Sequence, residues 1–269
     1  MAGAKVGLIQ YHAPVTAFAA MWLGEVIIGA IGMAIAYQHN GHSLQQWRFS
    51  LSQAKSLLAD SWPWIFSTLM TGIYLRVDQV MLAEMTSEAE LGIYSVAVRL
   101  TEVWNFFPLA ILASFFPNVV QARAIDESIF YTKLQKLYNL IAITSYGIAG
   151  LVTFSANFWV TTLFGEAYQQ AGPILIVLIW SFLFTSLGFA RSSFLAAVNW
   201  NRVHFFSVLL GCLMNIGLNY YLIPQQGGLG AAIASCISYW FATHGFCLIY
   251  PPLFKTGQML TKAIFFPKL

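Results

Sequence analysis

Residues 61–85, SWPWIFSTLMTGIYLRVDQVMLAEM, form an apolar stretch that a short polar segment interrupts. A bilayer core about 30 Å thick needs roughly 20 apolar residues in a helix, so this stretch is long enough to cross a membrane. The polar segment contains Arg76, Asp78 and Gln79. A charge at the centre of a spanning helix costs about 2.5–3.5 kcal/mol. The stretch therefore predicts a helix whose polar segment faces a bundle interior or a watery cavity.

The composition of the whole chain indicates a helical membrane protein. Of its 269 residues, 58% are hydrophobic and 9% are charged, and the mean hydropathy is +0.68. Soluble domains carry roughly 25% charged residues, so this chain has too little polar surface for that class. A membrane barrel would alternate polar and apolar residues, which this sequence does not do. The formal charge of +3, without basic stretches interleaved with aromatics, predicts no nucleic-acid partner.

About seven stretches are long and apolar enough to be transmembrane helices. They are Val15–Tyr37, Trp62–Ala83, Leu91–Phe116, Leu137–Phe164, Pro173–Val198, Val203–Ile223 and Leu229–Tyr250. The loops after the first, third and fifth spans contain Lys or Arg, as does the C-terminal tail, whereas loops 84–90, 165–172 and 224–228 contain neither. By the positive-inside rule, the C-terminus is predicted to be cytoplasmic and the N-terminus to lie outside.

Enzyme motifs are absent from the sequence. It has no Walker A, HExxH or GxSxG motif, and its histidines and three cysteines show no metal-ligand grouping. We therefore expect no catalytic residues, no metal and no cofactor. Any transport would be driven by a gradient, by the membrane potential or by another chain.

Polar side chains inside the spans are the candidate site. The candidates for substrate binding are Arg76, Asp78, Gln79, Arg99, Glu102 and Arg191, and Glu25 is a candidate ion or proton site. At about 1.5 Å per residue, Arg76 and Arg99 lie at similar depths on either side of loop 84–90. Guanidinium groups bind phosphate through paired hydrogen bonds. This layer therefore predicts a cavity for an anionic head group.

Each of these charges also has a purely structural interpretation. Asp78 is predicted to meet Arg99 across the hairpin, which leaves Arg76 facing the cavity, and such a pair could serve only to fix helix packing. Arg191 either lines the cavity or extends to the cytoplasmic interface. Glu25 either binds an ion or is satisfied by a neighbouring helix.

Four stretches resemble a known family, in order and in spacing. They are residues 61–85 above, LGIYSVAVRLTEVWNFFPLAI at 91–111, LFGEAYQQAGPILIVLIW at 163–180 and LNYYLIPQQGGLGAAIASCIS at 218–238. Together they resemble the C-terminal lobe of polysaccharide flippases of the O-antigen type, in the multidrug/oligosaccharidyl-lipid/polysaccharide exporter superfamily. The resemblance implies a two-lobe fold that carries undecaprenyl-diphosphate-linked sugar units across the bacterial inner membrane. It also implies that Arg76, Asp78, Arg99 and Glu102 line the cavity between the lobes.

The resemblance divides the chain into two parts. Residues 1–55 correspond to the last helix of the N-terminal lobe and a cytoplasmic linker, and residues 56–269 to the six-helix C-terminal lobe and a short tail. The rest of the N-terminal lobe is expected to be missing, as in a truncated or split gene product. We therefore expect a partner, either a separately encoded N-terminal lobe or a second copy of the chain.

Three other functions stay open at this point. A multidrug extruder of the same superfamily would use a similar fold, although three arginines inside the spans do not suit its usual cationic substrates. A membrane-embedded glycan polymerase or ligase would use a large outer loop, and the outer loops here are short. A structural protein without transport is the third alternative.

Overall fold

The computed structural model describes residues 7, 14–41, 43, 48–123 and 125–268, and in these ranges the chain is helical without strands. The prediction of an all-α polytopic membrane protein is confirmed. The described chain forms two compact units, one ending at Ala59 and one beginning at Asp60. The helices are α1 Val15–His39, α2 Leu51–Tyr74, α3 Val77–Met85, α4 Glu88–Glu102, α5 Phe106–Arg123, α6 Glu127–Phe164, α7 Ala171–Ala197, α8 Asn201–Trp240, α9 Phe246–Ile249 and α10 Phe254–Phe265.

Five segments among the described residues are helical, long and apolar enough to cross a membrane. They are Thr16–His39, Glu88–Arg123, Glu127–Phe164, Ala171–Ala197 and Asn201–Ile249. The last contains two of the spans expected from the sequence, so these five segments cover six of the seven. The remaining expected span, Trp62–Ala83, is divided between α2 and α3.

Two interruptions shape the predicted second and third spans. Between α2 and α3, Leu75 and Arg76 form a turn, and the backbone of Arg76 leaves the helical region with φ −126° and ψ −12°. Between α4 and α5, residues Val103–Asn105 form a 3₁₀ turn just before Pro108. Pro108 has no N–H to donate to the preceding turn, which explains why the regular helix is interrupted there.

Side chains on the loops fix where two of the long helices begin. The Ser87 hydroxyl accepts a hydrogen bond from the Glu90 amide at 3.2 Å and so caps α4. The Asp126 carboxylate accepts hydrogen bonds from the amides of Ser128 and Ile129 and so caps α6. Hydrogen bonds from the Ser128 side chain and from these amides lower the pKa of Asp126.

The glycine-rich stretch near residue 228 makes a sharp kink within α8. Gly227 has φ 55° and ψ −133°, a conformation open to glycine, and the Gly228 amide donates to a Glu90 carboxylate oxygen at 2.7 Å. A Cβ on Gly230 would lie 2.4 Å from the carbonyl oxygen of Leu222. These small residues allow close backbone packing.

The hydrophobic core of the second unit consists of two clusters along α6 and α7. One cluster contains residues 148–160 of α6 and 171–182 of α7, together with buried side chains such as Leu82 and Tyr94. The other contains residues 130–142 of α6 and 183–195 of α7, and its further members include Leu260 of α10. The polar site lies on helices α2 to α4, α7 and α8.

Candidate functional site

Asp78 is the centre of a buried polar network. Its side chain is only 3% exposed, and one carboxylate oxygen, Oδ2, accepts hydrogen bonds from the Tyr94 hydroxyl and the Ser235 hydroxyl, each at 2.6 Å. The other oxygen, Oδ1, is buried and has no hydrogen-bond partner in the structure. The carboxylate is therefore held in place by neutral hydroxyls and keeps one oxygen for a proton, a cation or a donor from a ligand.

Asparagines and serines on the two halves of α8 extend this network. The Asn215 amide nitrogen donates to the hydroxyls of Ser235 at 3.3 Å and Ser238 at 3.2 Å. The Asn219 amide nitrogen donates to Asn215 Oδ1 at 3.0 Å. The sequence reasoning missed these four residues. The sequence does carry a signal for them. Asn215 and Asn219 are four positions apart and Ser235 and Ser238 are three apart in otherwise apolar spans, so each pair lies on one helix face.

The predicted pairing of Asp78 with Arg99 is wrong. Asp78 lies at the start of α3, and its hydrogen-bond partners are Tyr94 of α4 and Ser235 of α8. The Arg99 side chain is exposed instead. Arg76 instead pairs with Glu102, with a nitrogen–oxygen distance of 3.0 Å and side-chain exposures of 54% and 41%. The structure thus separates the predicted charge layer into a buried carboxylate and an exposed ion pair.

Arg191 is buried and does not extend to the interface, so the snorkelling interpretation is wrong. It is 2% exposed, and its guanidinium donates to the Ser207 hydroxyl at 2.7 Å and to the Cys247 sulfur at 3.7 Å. Its Nε has no hydrogen-bond partner among the described residues. Within the described part of the chain, no carboxylate lies within ion-pair distance of it. A buried cation without an acidic partner is costly unless a ligand supplies the negative charge.

Arg191 lines a cavity of about 410 Å³ between α2, α7 and α8. The wall includes His204, whose buried Nδ1 has no hydrogen-bond partner in the described part of the chain, and the rings of Trp64 and His204 lie 5.7 Å apart. Threonine and serine hydroxyls provide further polar groups among mostly apolar side chains. The volume suits a small ligand or the head group of a larger one.

A second cavity of about 90 Å³ contains Asp78 and Glu102 in its wall. Four residues line both cavities, namely Leu75, Thr185, Phe189 and Tyr239. The buried carboxylate and the buried guanidinium therefore belong to adjacent spaces with a common wall. In the described ranges, no group of three His, Cys, Asp or Glu side chains is arranged as metal ligands.

The roles of Gln79 in substrate binding and of Glu25 in ion or proton binding stay predictions. Gln79 is half-buried in α3 next to Asp78. Glu25 is half-buried in α1 and has an interaction partner in the structure.

The helices and the buried charges define a polytopic membrane protein whose bundle contains a largely apolar cavity with the buried Arg191 in its wall. Residues 6–123 match a family described as polysaccharide biosynthesis protein. The prediction that the chain resembles polysaccharide flippases of the multidrug/oligosaccharidyl-lipid/polysaccharide exporter superfamily is confirmed.

Curated relatives from three organisms show the range of similar proteins. A capsular polysaccharide biosynthesis protein of Staphylococcus aureus is 24% identical over 76% of this chain and 52% of its own length. A probable low-salt glycan biosynthesis flippase of Haloferax volcanii is 24% identical over 71% of this chain and 40% of its own length. A probable multidrug resistance protein of Halalkalibacterium halodurans is 30% identical over 49% of this chain and 31% of its own length.

The chain thus spans about half the length, or less, of the curated relatives it matches. No solved structure matches the chain significantly.

Proposed function

We propose that this chain is part of a flippase that moves undecaprenyl-diphosphate-linked oligosaccharides across the bacterial inner membrane. The observation that carries the proposal is Arg191, a buried guanidinium without an acidic partner that lines a cavity of about 410 Å³. A diphosphate supplies the negative charge and the hydrogen-bond acceptors that this guanidinium lacks. The relatives named as flippases favour transport over catalysis.

In this proposal, Asp78 couples transport to an ion gradient. Its carboxylate lies in a predicted spanning segment with one oxygen unpaired, so it takes up a proton or a small monovalent cation. Because the two cavities share a wall, a change of charge at Asp78 alters the environment of the anion bound near Arg191. A gradient of that ion would then drive the change between the two conformations of an alternating-access transporter.

The exposed charges belong to the contact with a second helix bundle in this proposal. Arg76 is about half-exposed and paired with Glu102, and Arg99 is exposed. Facing lipid, an unpaired charge costs several kcal/mol, about 2.5–3.5 on insertion scales. A second bundle, either a separately encoded N-terminal lobe or another copy of the chain, would cover these side chains and complete an alternating-access site.

The proposed orientation places the C-terminus in the cytoplasm, from the distribution of Lys and Arg in the loops. It can be tested with single cysteines in a cysteine-free background. Ala89→Cys and Gln226→Cys should react with an impermeant thiol reagent from outside the cell, and Ile125→Cys only after permeabilisation. The opposite pattern would contradict the orientation.

Ligand binding to the purified chain tests the proposed substrate. We expect undecaprenyl diphosphate to bind at least tenfold more tightly than undecaprenol or the lipophilic cation tetraphenylphosphonium. Arg191→Met should weaken diphosphate binding by about 30-fold or more, because removing one partner of a buried charge pair costs about 2–5 kcal/mol. The matched control is Arg202→Met, which removes an exposed arginine that lies over the Trp62 ring.

Two results would contradict the proposal. Preference for the cation would favour a multidrug extruder, the alternative that the multidrug resistance relative keeps open. Equal losses in Arg191→Met and Arg202→Met would show that net charge, and not the cavity, determines binding. Leaflet translocation and sugar transfer, measured side by side with a lipid-linked sugar in a strain lacking its own flippase, would separate transport from glycan polymerisation.

A further inference from the structure

Four lysines form a basic surface on the outside of the bundle, away from the cavities described above. Lys133 and Lys136 lie in the first turns of α6, and Lys255 and Lys262 lie on α10, which packs along that part of α6. All four residues are exposed, and none of them has an ion pair within 4 Å among the residues that the structure describes. Such a surface attracts anions.

The surface contains two adjacent grooves of different character. The groove between α5 and α6 has a volume of about 420 Å³, and Phe115, Val119, Leu137 and Leu140 line it. Lys133 and Lys136 lie at its edge, and Lys133 Nζ donates to the carbonyl oxygen of Asn118 at 3.3 Å. The groove is therefore mostly apolar, with two lysines in its wall.

The second groove lies between α6 and α10 and has a volume of about 480 Å³, and most of the residues that line it are polar. Three lysines line it, namely Lys136, Lys255 and Lys262, together with Gln135 and Thr132. Gln135 holds the two helices together by donating to the carbonyl oxygen of Met259 at 3.0 Å. Lys136 belongs to both grooves, which are therefore neighbours.

The position of the grooves along α6 corresponds to the level of lipid head groups. The span expected from the sequence begins at Leu137, and α6 begins at Glu127. Residues 127–136 therefore extend about 15 Å beyond that span, at 1.5 Å per residue. Lys133 and Lys136 lie at the junction, and Phe254, Phe265 and Phe266 are exposed at the ends of α10. Lysines and aromatic side chains are typical of the membrane interface.

We propose that the two grooves together bind one anionic phospholipid. The phosphodiester head group lies among Lys136, Lys255 and Lys262, and an acyl chain follows the apolar groove between α5 and α6. The charge of the lysines matches the phosphodiester, the apolar lining matches the chain, and the shared lysine joins the two parts. A lipid bound there would hold α10 against α6 at the predicted cytoplasmic side.

The test uses the full chain in mild detergent and fluorescent phosphatidylglycerol, with phosphatidylcholine and inorganic phosphate as competitors. We expect phosphatidylglycerol to bind at least tenfold more tightly than phosphatidylcholine. Lys136→Gln combined with Lys262→Gln should weaken binding about 25-fold, at about fivefold per lysine near an anionic lipid. Lys136→Arg with Lys262→Arg should keep most of the affinity.

The matched control removes two positive charges elsewhere, through Lys55→Gln with Arg202→Gln, and should change the affinity less than twofold. Equal binding of the two phospholipids would overturn the proposal, as would equal losses in the groove and control variants. Displacement of phosphatidylglycerol by millimolar inorganic phosphate would also overturn it, because the surface would then be a site for free anions.

Discussion

Replacing Asp78 separates the structural role of the buried carboxylate from its role in coupling. Tyr94 and Ser235 both donate to Oδ2, and Oδ1 has no partner. Asparagine reproduces this arrangement, because its amide oxygen accepts both hydrogen bonds and its NH₂ group takes the place of Oδ1. Asp78→Asn is therefore a mimic of the proton-bound or cation-bound side chain.

The structure gives the size of the expected effects. A neutral hydrogen bond contributes about 0.5–1.5 kcal/mol net, so Asp78→Asn should change the free energy of unfolding by no more than about 1 kcal/mol. Asp78→Ala leaves two buried hydroxyls without an acceptor, at about 1–3 kcal/mol each, and opens a small cavity. We expect it to lose about 2–5 kcal/mol in total.

Two measurements check this prediction. Thermal unfolding in detergent, followed by size-exclusion fluorescence, reports stability. The dependence of ligand binding on pH and on sodium concentration reports coupling. Asp78→Asn should keep its stability and lose the dependence of binding on pH or sodium. Tyr94→Phe, which removes one donor, should keep that dependence.

One result would refute the reasoning. If Asp78→Asn destabilises the protein as much as Asp78→Ala, the negative charge itself holds the fold, and Asp78 is not a group that becomes neutral during transport. A pH and sodium dependence that survives in Asp78→Asn would assign coupling to another residue.

Further predictions follow from contacts outside this network. Gly230→Ala should lower the free energy of unfolding by about 1–3 kcal/mol, because its Cβ would lie 2.4 Å from a backbone carbonyl oxygen. Gly217→Ala is the matched control in the same helix, and because open space surrounds Gly217, it should be neutral or slightly stabilising. Thermal unfolding compares the two variants. The Arg76–Glu102 pair lies in predicted spanning segments, so its coupling in a double-mutant cycle of unfolding free energies should exceed the roughly 0–1 kcal/mol that is typical of an ion pair in water. Either single change to alanine should also abolish polysaccharide export in the complete transporter, because it leaves the other charge unpaired. Because the pKa of Asp126 is lowered in the fold, its contribution to stability is present above the unfolded pKa and is lost as the pH falls through the folded pKa. Asp126→Asn should remove that acid-dependent part of the unfolding curve.

The sequence predicted the helices well because their signal is local. Length and hydropathy determine a spanning segment, so the first expected span, Val15–Tyr37, agrees with α1, Val15–His39, to within two residues at its end. The 3₁₀ turn Val103–Asn105 likewise has a local cause, because Pro108 lacks the N–H that a continuous helix would use. These features depend on neighbouring residues alone.

The partners of the charged residues could not be predicted in the same way. Asp78 bonds to Ser235, which is 157 positions away, and only the packing of α3 against α8 brings them together. Depth along a helix follows from residue number, but the direction of a side chain depends on how the helix is rotated against its neighbours. The sequence therefore predicts depths for Arg76 and Arg99, whereas the partner of Asp78 follows only from the packing.

Arg191 shows the same limit at the site itself. Its position toward the predicted cytoplasmic end of its span suggested either the cavity or the interface, and hydropathy does not distinguish the two. Ser207 of α8 and Cys247 of α9 decide between them, because both accept hydrogen bonds from the buried guanidinium.

The common wall of the two cavities links the proposed ion site to the proposed anion site. Leu75 lines both spaces and lies in the turn between α2 and α3, where no continuous helix stiffens the chain. An interrupted helix can change its angle at little cost compared with an intact one. Binding of a proton or cation at Asp78, at the start of α3, would therefore act on this turn, and the turn would reshape the cavity that holds Arg191. Stiffening the turn should weaken the coupling between ion and anion while each still binds alone.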